Sequence, residues 1–165
     1  MNKIVSTTGD MVSPTASIRV LAISSDGGHW HELLRLRPAL EDFDVHYASV
    51  NKYGAGIVTP RPYYVVPDAH FNKPYRIINT FIGVLKLFWK IRPQAVVSTG
   101  SAPGGMAMLV GRIFGARTIW VESAANCAQQ SRSGRFTRRV AKTVFVQWPE
   151  LARADGPYYR GNILL

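Results

Sequence analysis

Acidic residues are scarce in this chain, and cysteine is almost absent. Ten Asp and Glu face 20 Lys and Arg, for a formal net charge of +10. That balance favours anionic partners, whether nucleic acid, anionic lipid or phosphorylated substrates, and does not choose among them. The single cysteine, Cys127, excludes an internal disulfide and suits a reducing compartment. No neighbouring feature marks it as a nucleophile, and it reads as a small neutral thiol. No run of about 18 or more apolar residues occurs, so no bilayer-spanning helix is expected. Residues 1–17 are polar, rich in Ser and Thr, and lack the apolar stretch of a signal peptide; they read as a flexible leader. Neither G-x-G-x-x-G nor a Walker A motif is present. His29 and His31 are close, but His46 and His70 are not spaced like zinc ligands. Neither a metal site nor a cofactor is expected.

What is present is enough for one packed domain over 18–165. The chain has 165 residues and is 47% hydrophobic; at this size a domain buries about 70% of its unfolded surface. Short apolar runs alternate with longer amphipathic ones. Strands are predicted at Ile18–Ser24, Asp44–Ser49, Arg61–Val66, Ala95–Ser98, Arg117–Val121 and Thr143–Gln147. Helices are predicted at Trp30–Leu40, Tyr75–Ile91, Gly104–Phe114 and Ser131–Ala141. This alternation implies an α/β, Rossmann-like domain, a parallel sheet with helices on both faces. Such sheets bind ligands beyond the carboxyl ends of their strands, so the loops after strands are where chemistry is sought.

Three such loops carry polar or glycine-rich sequence. After the first strand comes Ser24-Ser25-Asp26-Gly27-Gly28-His29, running into a helix. Glycines let backbone approach a ligand, and free N–H groups at a helix start attract phosphate. The same pattern also serves a tight strand-to-helix turn with no ligand. His29 sits where loop meets helix, with Glu32 about one turn on, so the two share a face. His29 either accepts a proton from a hydroxyl, or caps the helix with Glu32 completing a capping-box contact. The fourth strand ends in Ser98-Thr99-Gly100-Ser101-Ala102-Pro103-Gly104-Gly105, a second small polar loop suited to an anion or sugar hydroxyls. It does not match the G-x-S-x-G hydrolase elbow. The fifth ends in Glu122-Ser123-Ala124-Ala125-Asn126. A carboxylate there either binds sugar hydroxyls, orients a base or caps a helix.

Two helices carry pronounced faces. Over residues 76–91, Ile77, Ile78, Phe81, Ile82, Val84, Leu85, Phe88, Trp89 and Ile91 fill about half the circumference. Such a segment is about 24 Å long, short of the roughly 30 Å bilayer core. Either the stripe packs on its own sheet, or Phe81, Leu85, Phe88 and Trp89 meet a membrane or lipid acceptor. Arg132, Arg135, Arg138, Arg139 and Lys142 cluster within about a 120° arc. Arg135 and Arg139 are candidates for anionic headgroups or a pyrophosphate, against the alternative of a solvated basic face.

Taken together, Ser24-Ser25-Asp26-Gly27-Gly28-His29-Trp30-His31-Glu32, Thr99-Gly100, Val121-Glu122-Ser123, Val146-Gln147-Trp148-Pro149 and Tyr159-Arg160-Gly161 occur in an order that resembles one family. It is the membrane-associated, acceptor-side subunit of split GT-B glycosyltransferases: the ALG-type family of the dolichol pathway and the bacterial PssD-type subunits of exopolysaccharide assembly. The resemblance covers about residues 18–165. It implies the N-terminal half of a GT-B fold, with a separate small protein supplying the donor-binding C-terminal lobe. It implies inverting transfer from a UDP-sugar to a saccharide on a lipid pyrophosphate, without a bound metal. His29 would accept the acceptor's proton, with Glu32 or Glu122 orienting it or acting instead. Ser25, Asp26, Gly27, Gly28, Thr99, Gly100, Ser101 and Asn126 would line the substrate. PssD-type members point to glucuronic acid transfer, with N-acetylglucosamine and galactose open. The eukaryotic form has an N-terminal membrane helix not seen here, which points to a bacterial-type, peripheral protein on the cytoplasmic face of the inner membrane.

Two other classes compete. The chain could recruit and activate a partner transferase without catalysing anything. It could instead be a basic nucleic-acid-binding domain, but no recognised binding motif accompanies the charge, and no nucleic-acid partner is expected.

Overall fold

The computed structural model describes residues 17–69 and 74–164. Most of the expected leader, and His70, lie outside the described residues. The rest folds as one α/β layer stack. The strands are β1 (Arg19–Ser24), β2 (Asp44–Ser49), β3 (Tyr63–Val65), β4 (Ala95–Ser98), β5 (Arg117–Val121), β6 (Thr143–Val146) and β7 (Tyr158–Tyr159). The helices are α1 (Gly28–Arg35), α2 (Ala55–Val58), α3 (Pro74–Ile91), α4 (Ser101–Ile113) and α5 (Arg132–Val140). All seven strands pair in parallel, in the order β3-β2-β1-β4-β5-β6-β7. The order reverses between β1 and β4. A crevice opens at such a switch point, because the connections leaving the two strands go to opposite sides of the sheet.

Strand residues alternate between the two faces, and both are apolar. Leu21, Ile23, Val96, Trp120 and Val144 face a layer built from α3 and α4, with α5 beside α4. Val20, Ala22, Val45, Tyr47 and Val97 face Trp30 and Leu33 of α1. Trp30, Trp120 and Phe88 are fully buried, each worth about 2–3 kcal/mol relative to exposure. Trp30 meets Tyr47 and Tyr63 edge-on, with ring centroids 6.2 and 5.6 Å away.

Several boundaries differ from expectation. The helix expected over Trp30–Leu40 begins at Gly28 and ends at Arg35; Arg37–Leu40 is a separate 3₁₀ turn. Pro38 explains the break: it disfavours helical geometry at Arg37 and has no N–H to donate. The third strand shrinks to Tyr63–Val65 because Pro62 cannot donate to a ladder. The stretch before it contains α2, one turn long and too short to show a period. Helix α4 starts at Ser101, since Pro103 is tolerated in a first turn. The two-residue β7 was not anticipated.

Phe88, a candidate for membrane or acceptor contact if the stripe does not pack on its own sheet, is instead buried in the core with Val84, Leu87 and Ile91. Phe81 and Leu85 are half-buried against the same cluster. An apolar arc covering half a helix is wider than one contact, and its inner part packs on the sheet. The outer part stays open: Tyr75, Ile78, Ile82 and Trp89 are exposed. Trp89 stands edge-on to Phe114, with centroids 6.0 Å apart. The Arg132, Arg135, Arg138, Arg139 and Lys142 side chains are all exposed. Among the described residues, no helix is long and apolar enough to cross a membrane.

Candidate active site

The loops after β1, β4 and β5 converge at the switch point. The first is tied down from β2. Ser49 Oγ donates to the Ser25 carbonyl at 3.1 Å, and Asn51 Nδ2 donates to Asp26 Oδ1 at 2.9 Å. Gly27 N–H also donates to Asp26 Oδ1, at 2.8 Å. Asp26 thus shapes the loop. Behind it, the Tyr63 hydroxyl donates to the Asn51 carbonyl. Burial, opposed by a bond with Ser49, holds this phenol above its ordinary range.

Helix α1 has no side-chain cap: its N-cap is Gly27. Of the two readings of His29 and Glu32, the helix cap does not form. The first N–H groups of the helix have no partner within it and face the crevice, which suits an anion. Glu32 instead reaches across to the third loop. Its Oε1 accepts from Ser123 Oγ at 3.0 Å and from the Ala124 N–H at 2.9 Å. Its Oε2 lies 3.9 Å from His29 Nδ1. Both of those atoms are buried and have no hydrogen-bond partner among protein groups. The gap exceeds hydrogen-bond range, so the two form a loose acid–imidazole pair. About a third of the His29 side chain is open (32%), and Nδ1 is not part of that surface.

The second loop is the seat for this histidine. Thr99 Oγ1 donates to the His29 carbonyl at 2.6 Å, so Thr99 is buried and holds α1 in place. The imidazole lies on Gly100. A Cβ there would fall 2.3 Å from Nδ1. Gly100 has φ 155 and ψ 179, a conformation essentially reserved for glycine, and Ser101 follows at φ 73. In Gly100→Ala the ring must leave its seat, and backbone strain adds about 1–3 kcal/mol. We expect Tm to fall by roughly 2–12 °C at about 2–4 °C per kcal/mol, with the His29 ring resonances displaced in carbon–proton NMR spectra. Unchanged melting and resonances would mean the ring does not rest there.

The third loop is organised by Glu122, which is 1% exposed. Its carboxylate accepts from Trp120 Nε1 (3.0 Å), Asn126 Nδ2 (2.7 Å) and the Ser131 N–H (3.1 Å). So enclosed and so bonded, Glu122 holds the third loop in shape and presents no open face to the crevice. Ser131 in turn caps α5 through the Gly134 N–H at 2.8 Å. Asn126 spends its amide on Glu122. Two side chains after β6 clamp the loop from above. Gln147 Nε2 donates to the Glu122 carbonyl at 3.0 Å, and Trp148 Nε1 to the Ala124 carbonyl at 2.7 Å. Nothing in the sequence assigns a role to Ser123, Gln147, Trp148 or Asn51; the Gln-Trp pair is visible there only as a motif. Among the described residues, no three His, Cys, Asp or Glu side chains gather as a metal site.

No protein-family model matches the chain, and no curated protein sequence does either. Solved structures do resemble it. MurG from Acinetobacter baumannii superposes with a TM-score of 0.70 at 17% identity, over 88% of this chain and 45% of that one. The UDP-GlcNAc 2-epimerase from Methanocaldococcus jannaschii gives 0.62 at 17%, over 78% and 39%. The UDP-N-acetylglucosamine 2-epimerase from Rickettsia bellii gives 0.68 at 12%, over 90% and 46%. The fold is the Rossmann-like N-terminal half of a GT-B arrangement. The chain spans less than half the length of each of these neighbours.

Proposed function

We propose that this chain is the acceptor-side lobe of a two-part, inverting glycosyltransferase of the ALG and PssD type. It moves a sugar from a UDP-sugar to a saccharide carried on a lipid pyrophosphate. The observation that carries this reading is the His29–Glu32 pair, seated on Gly100 beside unpartnered α1 amides at the sheet's switch point. Glu32, fixed by Ser123 and Ala124, backs Nδ1 and leaves Nε2 as the nitrogen that can reach a ligand. His29 takes the proton from the acceptor hydroxyl as its oxygen bonds to the anomeric carbon, and UDP leaves with the electrons of the broken bond. The Gly27–Gly28 end of α1 stabilises phosphate charge. Two neighbours named for UDP-N-acetylglucosamine support a sugar-nucleotide chemistry on this fold. The donor is most simply glucuronic acid, as in bacterial exopolysaccharide assembly, and the second lobe comes from a small partner protein.

The acceptor's lipid places the enzyme at a membrane surface, peripherally and on the cytoplasmic side. Tyr75, Ile78, Ile82 and Trp89 supply an exposed apolar stripe, and Arg135 and Arg139 supply cations on the same layer. Removing two large side chains from such a contact costs about 3 kcal/mol or more. Ile78→Ser with Trp89→Ser should therefore weaken sedimentation with phosphatidylglycerol vesicles by about 100-fold or more. Equal sedimentation of the variant would take the membrane role away from α3.

The decisive assay mixes the chain, its complementing lobe and lipid-linked acceptor with radiolabelled UDP-sugars. Label should enter the lipid fraction only when both proteins are present. Efficient transfer by this chain alone would refute the two-part reading.

A further inference from the structure

Helices α4 and α5 pack side by side, and both begin at the crevice, directly after the loops that follow β4 and β5. Their first two turns leave a gap. On α4, Ala102, Gly105 and Met106 line it, at a spacing that puts all three on one face. On α5, Arg132, Ser133 and Phe136 line it from across. The gap is a groove of about 250 Å³. It exists because Ala102, Gly105 and Ser133 are small. Even a Cβ added to Gly105 would stop 3.9 Å from Phe136 Cδ1 and 4.0 Å from Thr137 Cγ2, at ordinary contact distance. The groove is open: Phe136 is 45% exposed, and Ala102, Met106 and Ser133 are half-buried. Among the described residues, its lining comes from these two helices alone.

The charge around this groove has one sign. Neither helix contains an acidic residue. Arg132 stands in the lining itself, and Arg135, Arg138 and Arg139 line a separate hollow on α5. An apolar groove bordered by free cations suits a ligand that joins a hydrocarbon chain to an anionic head: the chain gains by leaving water, and a phosphate gains from the guanidinium fork. The groove also starts close to the chemistry, because Ala102 comes two residues after Gly100, on which the His29 ring rests. We propose that the groove holds the first stretch of the hydrocarbon chain of the lipid-pyrophosphate acceptor, with Arg132 on the phosphates and the saccharide lying toward His29. This rests on the acceptor class proposed above and adds which two helices grip the lipid. At roughly 30 Å³ for a water-sized group, about eight methylenes fill the space. A second copy of this chain fits poorly, because it would bring its own arginine-rich α5 against this one.

The test titrates the full chain, without membranes, with decyl pyrophosphate below its micelle concentration and with inorganic pyrophosphate. Calorimetry should show the decyl probe binding at least tenfold tighter. Phe136→Ser removes one wall at an exposed site, and Ser133→Leu fills the groove; melting compared with wild type verifies that both fold. Each should lower the preference for the decyl probe about tenfold. Ile113→Ser, an exposed apolar loss at the far end of α4, should leave that preference as it is. A decyl pyrophosphate with a diazirine in its chain should label peptides of α4 and α5 on irradiation. With the complementing lobe added, Phe136→Ser should raise the KM for the lipid-linked acceptor about tenfold and change kcat less. Equal affinity for the two probes would overturn the groove. So would an unchanged preference in both groove variants, an equal loss in Ile113→Ser, or labelling confined to α3. If the pair still moves sugar to a lipid-linked acceptor, those results spare the two-part enzyme. No transfer to any lipid-linked saccharide would remove the acceptor class and the groove with it.

Discussion

His29→Ala lowers kcat of the reconstituted enzyme by about 10²–10⁴, the usual contribution of a positioned general base. In the two-part enzyme proposed above the donor sits on the other lobe, so on that reading the KM for the UDP-sugar should move little. The imidazole itself holds nothing else together. Its Nδ1 has no protein hydrogen bond, and the contact that anchors this residue, Thr99 Oγ1 to the His29 carbonyl, involves backbone that alanine keeps. Stability should therefore change little, which separates a chemical loss from a folding one. Glu32→Gln makes the complementary measurement. Its carbonyl oxygen can still accept from Ser123 and Ala124, while the atom facing His29 turns from acceptor to donor. We expect about a tenfold loss in kcat, consistent with removing one charge-assisted contact worth about 1.4 kcal/mol. Steady-state turnover with the complex verified by size exclusion decides both. If His29→Ala turns over at near wild-type rate in an intact complex, the base is elsewhere and this chain only recruits or activates its partner.

Glu122→Ala produces the largest stability loss expected for a single side chain in this site. It strips an acceptor from three donors: the Trp120 indole, the Asn126 amide and the Ser131 N–H. Each donor left buried and unpaired costs about 1–3 kcal/mol, and a cavity forms beside Gly134, where even one added Cβ would sit 1.7 Å from Glu122 Oε2. These penalties overlap, so about 4 kcal/mol is expected in total, a large share of the roughly 5–15 kcal/mol that holds a domain together. Thermal melting should fall by about 8–16 °C at roughly 2–4 °C per kcal/mol. Trp120→Phe removes one of the three donors and keeps the ring in the core, so it should cost only about 1 kcal/mol. Melting of Glu122→Ala within a degree or two of wild type would show that the loop is held by something other than this carboxylate.

Strands β2, β4 and β5 begin and end where the sequence pattern placed them. They are short apolar or alternating runs, the pattern that a buried or half-buried strand needs. What escaped was short or interrupted: one-turn α2, two-residue β7, and the break at Pro38. The glycine loops were legible because glycine and polarity after a strand already describe a ligand-facing turn. The partner of Glu32 was not, because Ser123 lies 91 residues away and meets it only once β5 stands beside β4. Phe88 and Trp89 illustrate a different limit. A helical period defines an apolar arc but does not say which part of it the sheet covers, and these adjacent residues end up on opposite sides of that boundary. Gln147 and Trp148 were recognisable as a pattern, but their clamp on the Glu122 loop exists only in three dimensions.

The sheet tapers at both ends. The outermost strands are its shortest, three residues in β3 and two in β7, and each directly follows a proline, Pro62 or Pro157. An extended chain arriving at either end finds only a few open backbone groups and cannot build a ladder of useful length. Strand-by-strand growth, the usual route from a parallel sheet to a fibril or a swapped dimer, is blocked at both borders. Whatever this domain joins, it joins through its helices, a face of the sheet or the crevice, and not by adding a strand.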